Sequence, residues 1–141
     1  MADGVVIDTN VFVSALRSRR GASHRLAQLV GTGCFELELS AALVLEYEDV
    51  GIRLAEASGY SPEDLQTILN YWCGIGRHCE VHYRWRPLLI DPGDDMVAEL
   101  AIAAGAPSIV TFNGRDFRGI EQFGIRAVTP QEFLQELEKK A

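Results

Sequence analysis

The sequence predicts an α/β fold with a central, mainly parallel sheet. Short apolar runs alternate with helical patterns, which is typical of strands joined by crossover helices. Helix-capping residues follow several of these runs. The composition, 48% hydrophobic and 23% charged residues, is ordinary for a globular domain and excludes a disordered chain. Because no linker or repeat interrupts the 141 residues, we expect one domain over residues 1–141.

The predicted strands differ in pattern. Residues 5–7 and 108–112 are short, largely apolar runs, as expected for strands buried on both faces. Residues 35–39 alternate apolar and polar, which is the period of a strand with one exposed face. A final short strand is predicted at residues 126–128, and a weaker one at residues 79–82.

The first helices are predicted from caps and apolar spacing. Asn10 is expected to cap a helix over residues 11–18, and a second helix should span residues 22–30. Ser40 should begin a long helix. Apolar residues recur at helical spacing within this long helix, and the predicted core stripe is Leu43, Tyr47, Val50 and Leu54.

Later helices carry equally clear start signals. Ser61 and Pro62 should begin a helix that turns Leu65, Ile68, Leu69 and Trp72 inward. Residues 84–87 are predicted as a loop and residues 91–93 as a turn, after which Asp94 or Asp95 begins an alanine-rich helix. Thr129 and Glu132 form a capping box at the start of the last helix.

The charge and the cysteines limit the possible functions. Thirteen basic and twenty acidic residues give a net charge of -7, which does not suit binding of nucleic acid through a broad basic surface. The three cysteines fit reduced thiols rather than a disulfide framework. No apolar run approaches the ~18 residues of a membrane span, and no secretion signal is visible. We therefore expect a cytoplasmic protein without a membrane segment.

Acidic residues stand where a parallel sheet gathers functional groups, beyond the carboxyl ends of its strands. Asp8 follows the first predicted strand, and Asn113 and Asp116 follow the strand at residues 108–112. Glu46 lies about 60° from the core stripe of the long helix, where it can still reach a cleft. We expect four carboxylates at one rim, namely those of Asp8, Glu46, Asp95 (or Asp94) and Asp116.

Such a cluster predicts a metal-dependent reaction. Neighbouring carboxylates raise each other's pKa, so a stable cluster at neutral pH needs cations. Oxygen ligands without Cys or His favour Mg²⁺ or Mn²⁺. These ions can activate water and stabilise the charge on a phosphodiester during its hydrolysis. The residues therefore predict cleavage of a nucleic-acid backbone.

Several segments resemble, in order, the motifs of the PIN domain, and within that superfamily the VapC-like toxins. They are residues 5–16 (VVIDTNVFVSAL), 40–47 (SAALVLEY), 91–96 with 100–106 (DPGDDM and LAIAAGA), 109–117 (IVTFNGRDF) and 129–134 (TPQEFL). The resemblance implies a three-layer α/β/α fold and a Mg²⁺- or Mn²⁺-dependent endoribonuclease acting on single-stranded RNA. It further implies a homodimer held inactive by a cognate antitoxin protein.

Carried over by position, the family's catalytic acids fall on Asp8, Glu46, Asp95 and Asp116. Asp94 competes with Asp95, because the acidic run leaves the register open by one, so all five acids are candidate metal ligands. Asn113 stands where many relatives carry an acid. The supporting candidates are Asn10, Thr111 and Asn113, and the candidates for RNA contact are Arg17 and Arg115.

Other functions fit the residues less well. A phosphatase of the haloacid dehalogenase type needs a second Asp two residues after the first, where this chain has Asn10. A receiver-type phosphoacceptor needs an acidic pair beside the first strand, and only Asp8 is there. A non-catalytic PIN-fold binding or scaffold protein is the stronger alternative, but it would be expected to have lost acids that this chain keeps.

Overall fold

The computed structural model describes residues 2–81 and 92–140. Its strands pair in parallel throughout, in the order β3-β2-β1-β4-β5. They are β1 (Gly4–Ile7), β2 (Glu36–Leu39), β3 (Arg77–His78), β4 (Ser108–Val110) and β5 (Arg126–Val128). The chain leaves β1 towards one edge and returns to β4 on its other side, so the carboxyl ends of β1 and β4 flank a topological switch point.

Helices cover this sheet in the three-layer α/β/α arrangement that the resemblance implied. They are α1 (Thr9–Arg17), α2 (Ala22–Leu29), α3 (Ala41–Ser58), α4 (Pro62–Ile75), α5 (Pro92–Ala104) and α6 (Pro130–Lys140), with short 3-10 helices at Gly114–Phe117 and Ile120–Phe123. Within the described ranges, no helix is long and apolar enough to cross a bilayer. The prediction of a mainly parallel α/β fold is confirmed.

The helix starts follow the capping signals with two differences. Ser40 caps α3, Ser61 caps α4 within a capping box, and Thr129 forms the predicted capping box with Glu132. The predicted cap at Asn10 is wrong, because α1 begins at Thr9 and the Asp8 side chain is the cap. Helix α5 begins at Pro92, before the predicted start, since proline lacks the N–H that a first helical turn leaves unpaired.

The buried face of α3 differs from the predicted stripe. Leu43 and Tyr47 are buried as expected, but Gly51 and Ala55 complete the face in place of Val50 and Leu54. A Cβ atom on Gly51 would lie 2.7 Å from Leu65 Cδ1, so the glycine allows α4 to approach closely. A pattern search for large apolar residues misses a helix contact made by small ones.

The strand β2 carries a buried charge that its alternation did not predict. Glu38 is fully buried, and Arg77 on the neighbouring β3 donates to both of its carboxylate oxygens, from Nε at 2.5 Å and from Nη2 at 2.6 Å. The weak strand predicted at residues 79–82 is observed at Arg77–His78 instead. Residues 82–91, including the predicted loop at 84–87, lie outside the described residues.

Three aromatic rings pack together near the end of β1. The Phe12 ring stacks on Tyr47 at a centroid distance of 4.5 Å, and Trp72 packs edge-on against both rings. All three side chains are buried, and they join α1, α3 and α4. The cluster thereby links α1, which Asp8 caps, to α3, which carries Glu46.

Candidate active site

A cavity of about 350 Å³ lies beside the carboxyl ends of β1 and β4. It is bounded by α1 and α3, with contributions from the start of α5 and the segment after β4. Its lining includes the candidate residues Asp8, Asn10, Arg17, Glu46, Asp94 and Asn113, together with Thr9, Val13, Val50 and Leu54.

Asp8 is the most enclosed acid of this lining, at 7% exposed. Its Oδ1 accepts the backbone N–H of Thr9 at 2.8 Å, and its Oδ2 accepts the hydroxyl of Thr111 at 2.7 Å. The Thr111 oxygen in turn accepts the backbone N–H of Asn113 at 3.1 Å. Thr111, a supporting candidate from the sequence, therefore orients Asp8.

Thr9 links the two acids that come from different helices. Its hydroxyl donates to Glu46 Oε2 at 2.5 Å, while its backbone N–H donates to Asp8. Thr9 lies within the first motif of the sequence but was not predicted to have a role in the site. Its place directly after Asp8, in the first turn of a helix that packs on α3, is the signal that could have identified it.

Tyr47, predicted from its spacing only as a core residue, also supports the site. Its buried hydroxyl donates to the carbonyl of Ile7 at 2.5 Å, which fixes α3 to the residue before Asp8. Since Glu46 is the preceding residue on α3, this bond also limits where Glu46 can lie. Tyr47 thus helps to set the distance between the two carboxylates.

The carboxylates influence one another electrostatically. Burial raises the pKa of Asp8 above its ordinary value; hydrogen bonds from Thr111 and Thr9 oppose that shift, and the charges of Glu46 and Asp116 add to it. Burial also raises the pKa of Tyr47, and the charges of Asp8 and Glu46 reinforce the shift. Negative potential therefore concentrates where β1 ends.

The two candidates for the third acid occupy different environments. Asp94 contributes to the cavity lining, while Asp95 is only 1% exposed and lies outside the described lining. Adjacent residues on a helix point about 100° apart, so the two side chains cannot serve the same cleft equally. Of the two, only Asp94 contributes to this described lining.

The remaining candidates lie at the edges of the site. Asp116 and Arg115 are exposed on the 3-10 helix at Gly114–Phe117, outside the described lining, although the charge of Asp116 reaches Asp8. Arg17 lines the cavity from the last turn of α1. The structure thus brings Asp8, Glu46 and Asp94 to one cavity, and the charge of Asp116 also acts on Asp8.

The side-chain oxygen atoms of this cavity suit a hard cation, although the described residues do not surround one completely. In the described part of the chain, no three side chains of the types His, Cys, Asp or Glu converge closely enough to hold an ion. Mg²⁺, however, keeps several waters and often binds through only one or two carboxylates. The buried Oδ1 of Asn10, a lining residue, also has no hydrogen-bond partner among the described residues.

Comparison with known proteins gives the family. The chain matches the PIN domain family model over residues 4–115. It also resembles a chain of the crystal structure of VapBC2 from Rickettsia felis bound to a DNA fragment from their promoter, at 17% identity and a TM-score of 0.61, over 89% of this chain and 98% of that one. No curated protein matches significantly in sequence. Since the family model covers most of the sequence, the chain belongs to the PIN domain family.

Proposed function

We propose that the protein is a metal-dependent endoribonuclease that hydrolyses phosphodiester bonds of single-stranded RNA. The observation that carries the proposal is the pair of carboxylates of Asp8 and Glu46, held together by Thr9 in one cavity with Asp94. Members of the PIN domain family are generally nucleases, which supports the reaction class. The fold resemblance to a VapBC2 chain supports a toxin of the VapC type.

Asp8 and Glu46 would hold Mg²⁺ or Mn²⁺, with Asp94 as the third acid and Asp116 at longer range. When bound, the ion would lower the pKa of a water molecule and stabilise the developing charge on the phosphoryl group. The protein itself would position the acids through Thr9, and the buried aromatic cluster would exclude water from the core next to them.

Polar residues around the acids would complete the site. The unpartnered Oδ1 of Asn10 would accept a hydrogen bond from a water molecule in the cavity. Thr111 holds Asp8 from β4, and Asn113 lines the same cavity. Arg17 and Arg115 would bind phosphates of the strand, which fixes its position without reading its sequence.

Cleavage of single-stranded RNA in Mg²⁺, in Mn²⁺ and with chelator tests this function. Asp8→Asn and Glu46→Gln should each remove most activity while the fold is kept, because the carboxylates act as a unit. Glu48→Gln is the matched control, since Glu48 is exposed on α3 and lies outside the cavity lining. Ribonuclease activity that persists in Asp8→Asn, purified in parallel with the wild type, would refute the proposal.

The third acid can be assigned in the same assay. We propose Asp94 for that role, so Asp94→Asn should lower cleavage without loss of stability. Asp95→Asn should act mainly on the melting temperature, because Asp95 is buried in the first turn of α5. If Asp95→Asn instead lowers cleavage and Asp94→Asn does not, Asp95 is the third acid, as the alignment with the family motif suggested.

A non-catalytic PIN-fold RNA-binding protein is the second candidate. It is favoured by one observation, namely that the described acids do not converge into a closed ligand set. This function predicts RNA binding that requires neither Mg²⁺ nor Asp8, together with an intact RNA product in every metal. Metal-dependent cleavage would eliminate it.

The partners belong to the same proposal: a cognate antitoxin protein and a second copy of this chain, in the cytoplasm. On α4, Leu65, Leu69 and Trp72 are buried within the fold, as expected from the sequence, so they are not available for an interface. The exposed large apolar residues in the described part of the chain, which could serve an interface, are Leu45, Ile52, Leu54, Tyr71, Ile75 and Phe112. Light scattering should detect a dimer, and a monomer at high concentration would contradict it.

A further inference from the structure

We propose that the groove between α1 and α3 binds the nucleotide adjoining the scissile phosphate. Its base would lie on Val13, Val50 and Leu54, and its phosphate would contact Arg17. The inference rests on the proposed ribonuclease function and adds to it the path that the RNA strand takes out of the site.

The groove has matching registers on its two walls. Helix α1 contributes Thr9, Val13 and Arg17, and α3 contributes Glu46, Val50 and Leu54; both sets follow the spacing i, i+4, i+8. Residues at this spacing share one helix face, and eight residues span about 12 Å. All six lie in the lining of the same cavity, which therefore has a carboxylate end, an apolar middle and a cationic end.

The apolar middle of this groove is left open by the packing of α3. The buried face of that helix uses Gly51 and Ala55, so Val50 packs against the core only in part. Leu54 is 39% exposed, and Val13 on the facing helix, itself 4% exposed, contributes to the same lining. An apolar strip of this kind suits the flat face of a nucleobase, which packs against side chains without a requirement for sequence.

The charges favour a phosphodiester strand as the occupant. Arg17 is exposed at the end of α1 and forms no ion pair with any residue that the structure describes, in a chain of net charge -7. A strand whose scissile phosphate lies at the acids, through a cation, can present a neighbouring phosphate to Arg17. An acidic peptide would match Arg17 but would be repelled at the Asp8 end of the cavity.

Binding of a fluorescein-labelled, random-sequence single-stranded RNA decamer to the full chain tests the groove. Anisotropy is measured with Ca²⁺, another cation that prefers oxygen ligands, and the probe is checked on a gel for integrity. A ribose–phosphate decamer without bases is the second probe. The variants are Arg17→Glu and Leu54→Ala, and their matched controls are Arg25→Glu, which lines a different cavity, and Ile52→Ala, which is exposed on α3 outside the groove.

The two variants should differ in which probe they affect. Arg17→Glu should weaken both probes about tenfold at low salt and reduce the dependence of log affinity on log salt by about 0.7, the value for one phosphate of a single strand. Leu54→Ala should weaken the RNA about threefold to tenfold and leave the abasic probe unchanged, because only the base would contact Leu54. Both controls should bind like the wild type.

The outcomes separate this inference from the proposed function. If the wild type cleaves RNA but Arg17→Glu and Leu54→Ala bind RNA as tightly as their controls, the RNA strand does not pass through the groove. The groove would then be available to a protein partner. Equal loss of both probes in Leu54→Ala overturns the contact with the base. If the wild type neither binds nor cleaves RNA, the ribonuclease function fails and this inference fails with it.

Discussion

Asp8 is subject to effects that raise its pKa and to others that lower it. It ends β1, caps α1 and accepts two hydrogen bonds, yet its burial and the charges of Glu46 and Asp116 outweigh those bonds and raise its pKa. A carboxylate held in this way destabilises the fold until a cation or a proton compensates it. The strain is local, and it is placed at the point where the proposed reaction needs an ion.

The raised pKa of Asp8 predicts how stability depends on pH without metal. The folded state binds the Asp8 proton more tightly than the unfolded state does, so this group contributes stability below its unfolded pKa and loses it as the pH rises through the folded pKa. Asp8→Asn should remove that contribution. Melting temperatures of the wild type and Asp8→Asn are measured in chelator from about pH 3.5 upward. As the pH rises, the melting temperature of Asp8→Asn should increase relative to that of the wild type.

Other carboxyl groups titrate in the same range, so the difference between the two proteins is the informative quantity. Glu48→Gln serves as the control, because Glu48 is exposed and outside the cavity. A difference between wild type and Asp8→Asn that stays constant with pH would mean that the folded protein does not raise the pKa of Asp8.

At the scale of helices and strands, local signals were predictable and packing was not. The caps at Ser40, Ser61 and Thr129 follow from neighbouring residues alone, so the sequence could predict them. The face of α3 depends on how α4 packs against Gly51, and the burial of Glu38 depends on Arg77, 39 residues away. Contacts between distant segments of this kind leave no periodic pattern in either segment.

The pair of Glu38 and Arg77 predicts how β3 is held to the sheet. Arg77→Met should leave the fully buried Glu38 carboxylate without its cation and lower the free energy of unfolding by about 1–3 kcal/mol, less than for a fully buried pair because the Arg77 side chain is 56% exposed. Urea denaturation measures the loss. The double variant Glu38→Met with Arg77→Met should recover much of it, since no buried charge remains.

Arg25→Met is a suitable control for that measurement, because Arg25 is exposed on α2 and forms no ion pair with a described residue. Equal stability of Arg77→Met and this control would show that the pair contributes nothing to holding β3.

In the whole molecule, the parallel sheet is what gathers the acids. Asp8, Glu46 and Asp94 come from three separate segments and meet in one cavity because β1 and β4 are neighbours at the switch point. Alternating strands and helices allowed this rim to be predicted. The link through Thr9 could not be predicted, because it depends on how α1 and α3 are rotated towards each other by a fraction of a turn.

The proposed metal site predicts that stability depends on the cation. An ion that binds only the folded state stabilises it by mass action, by about 2.7 kcal/mol at one hundred times its dissociation constant. Millimolar Mg²⁺ or Mn²⁺ should therefore raise the melting temperature of the wild type by several degrees. The melting temperatures of Asp8→Asn and Glu46→Gln should rise much less.

Because the net charge is -7, any salt also stabilises the fold by screening repulsion across the whole surface. Each titration is therefore compared with a titration of NaCl at the same ionic strength. Glu48→Gln should respond like the wild type, because its carboxylate lies outside the cavity. If NaCl reproduces the full shift, or if the Asp8 and Glu46 variants keep it, the ions act on the surface charge and the cavity holds none.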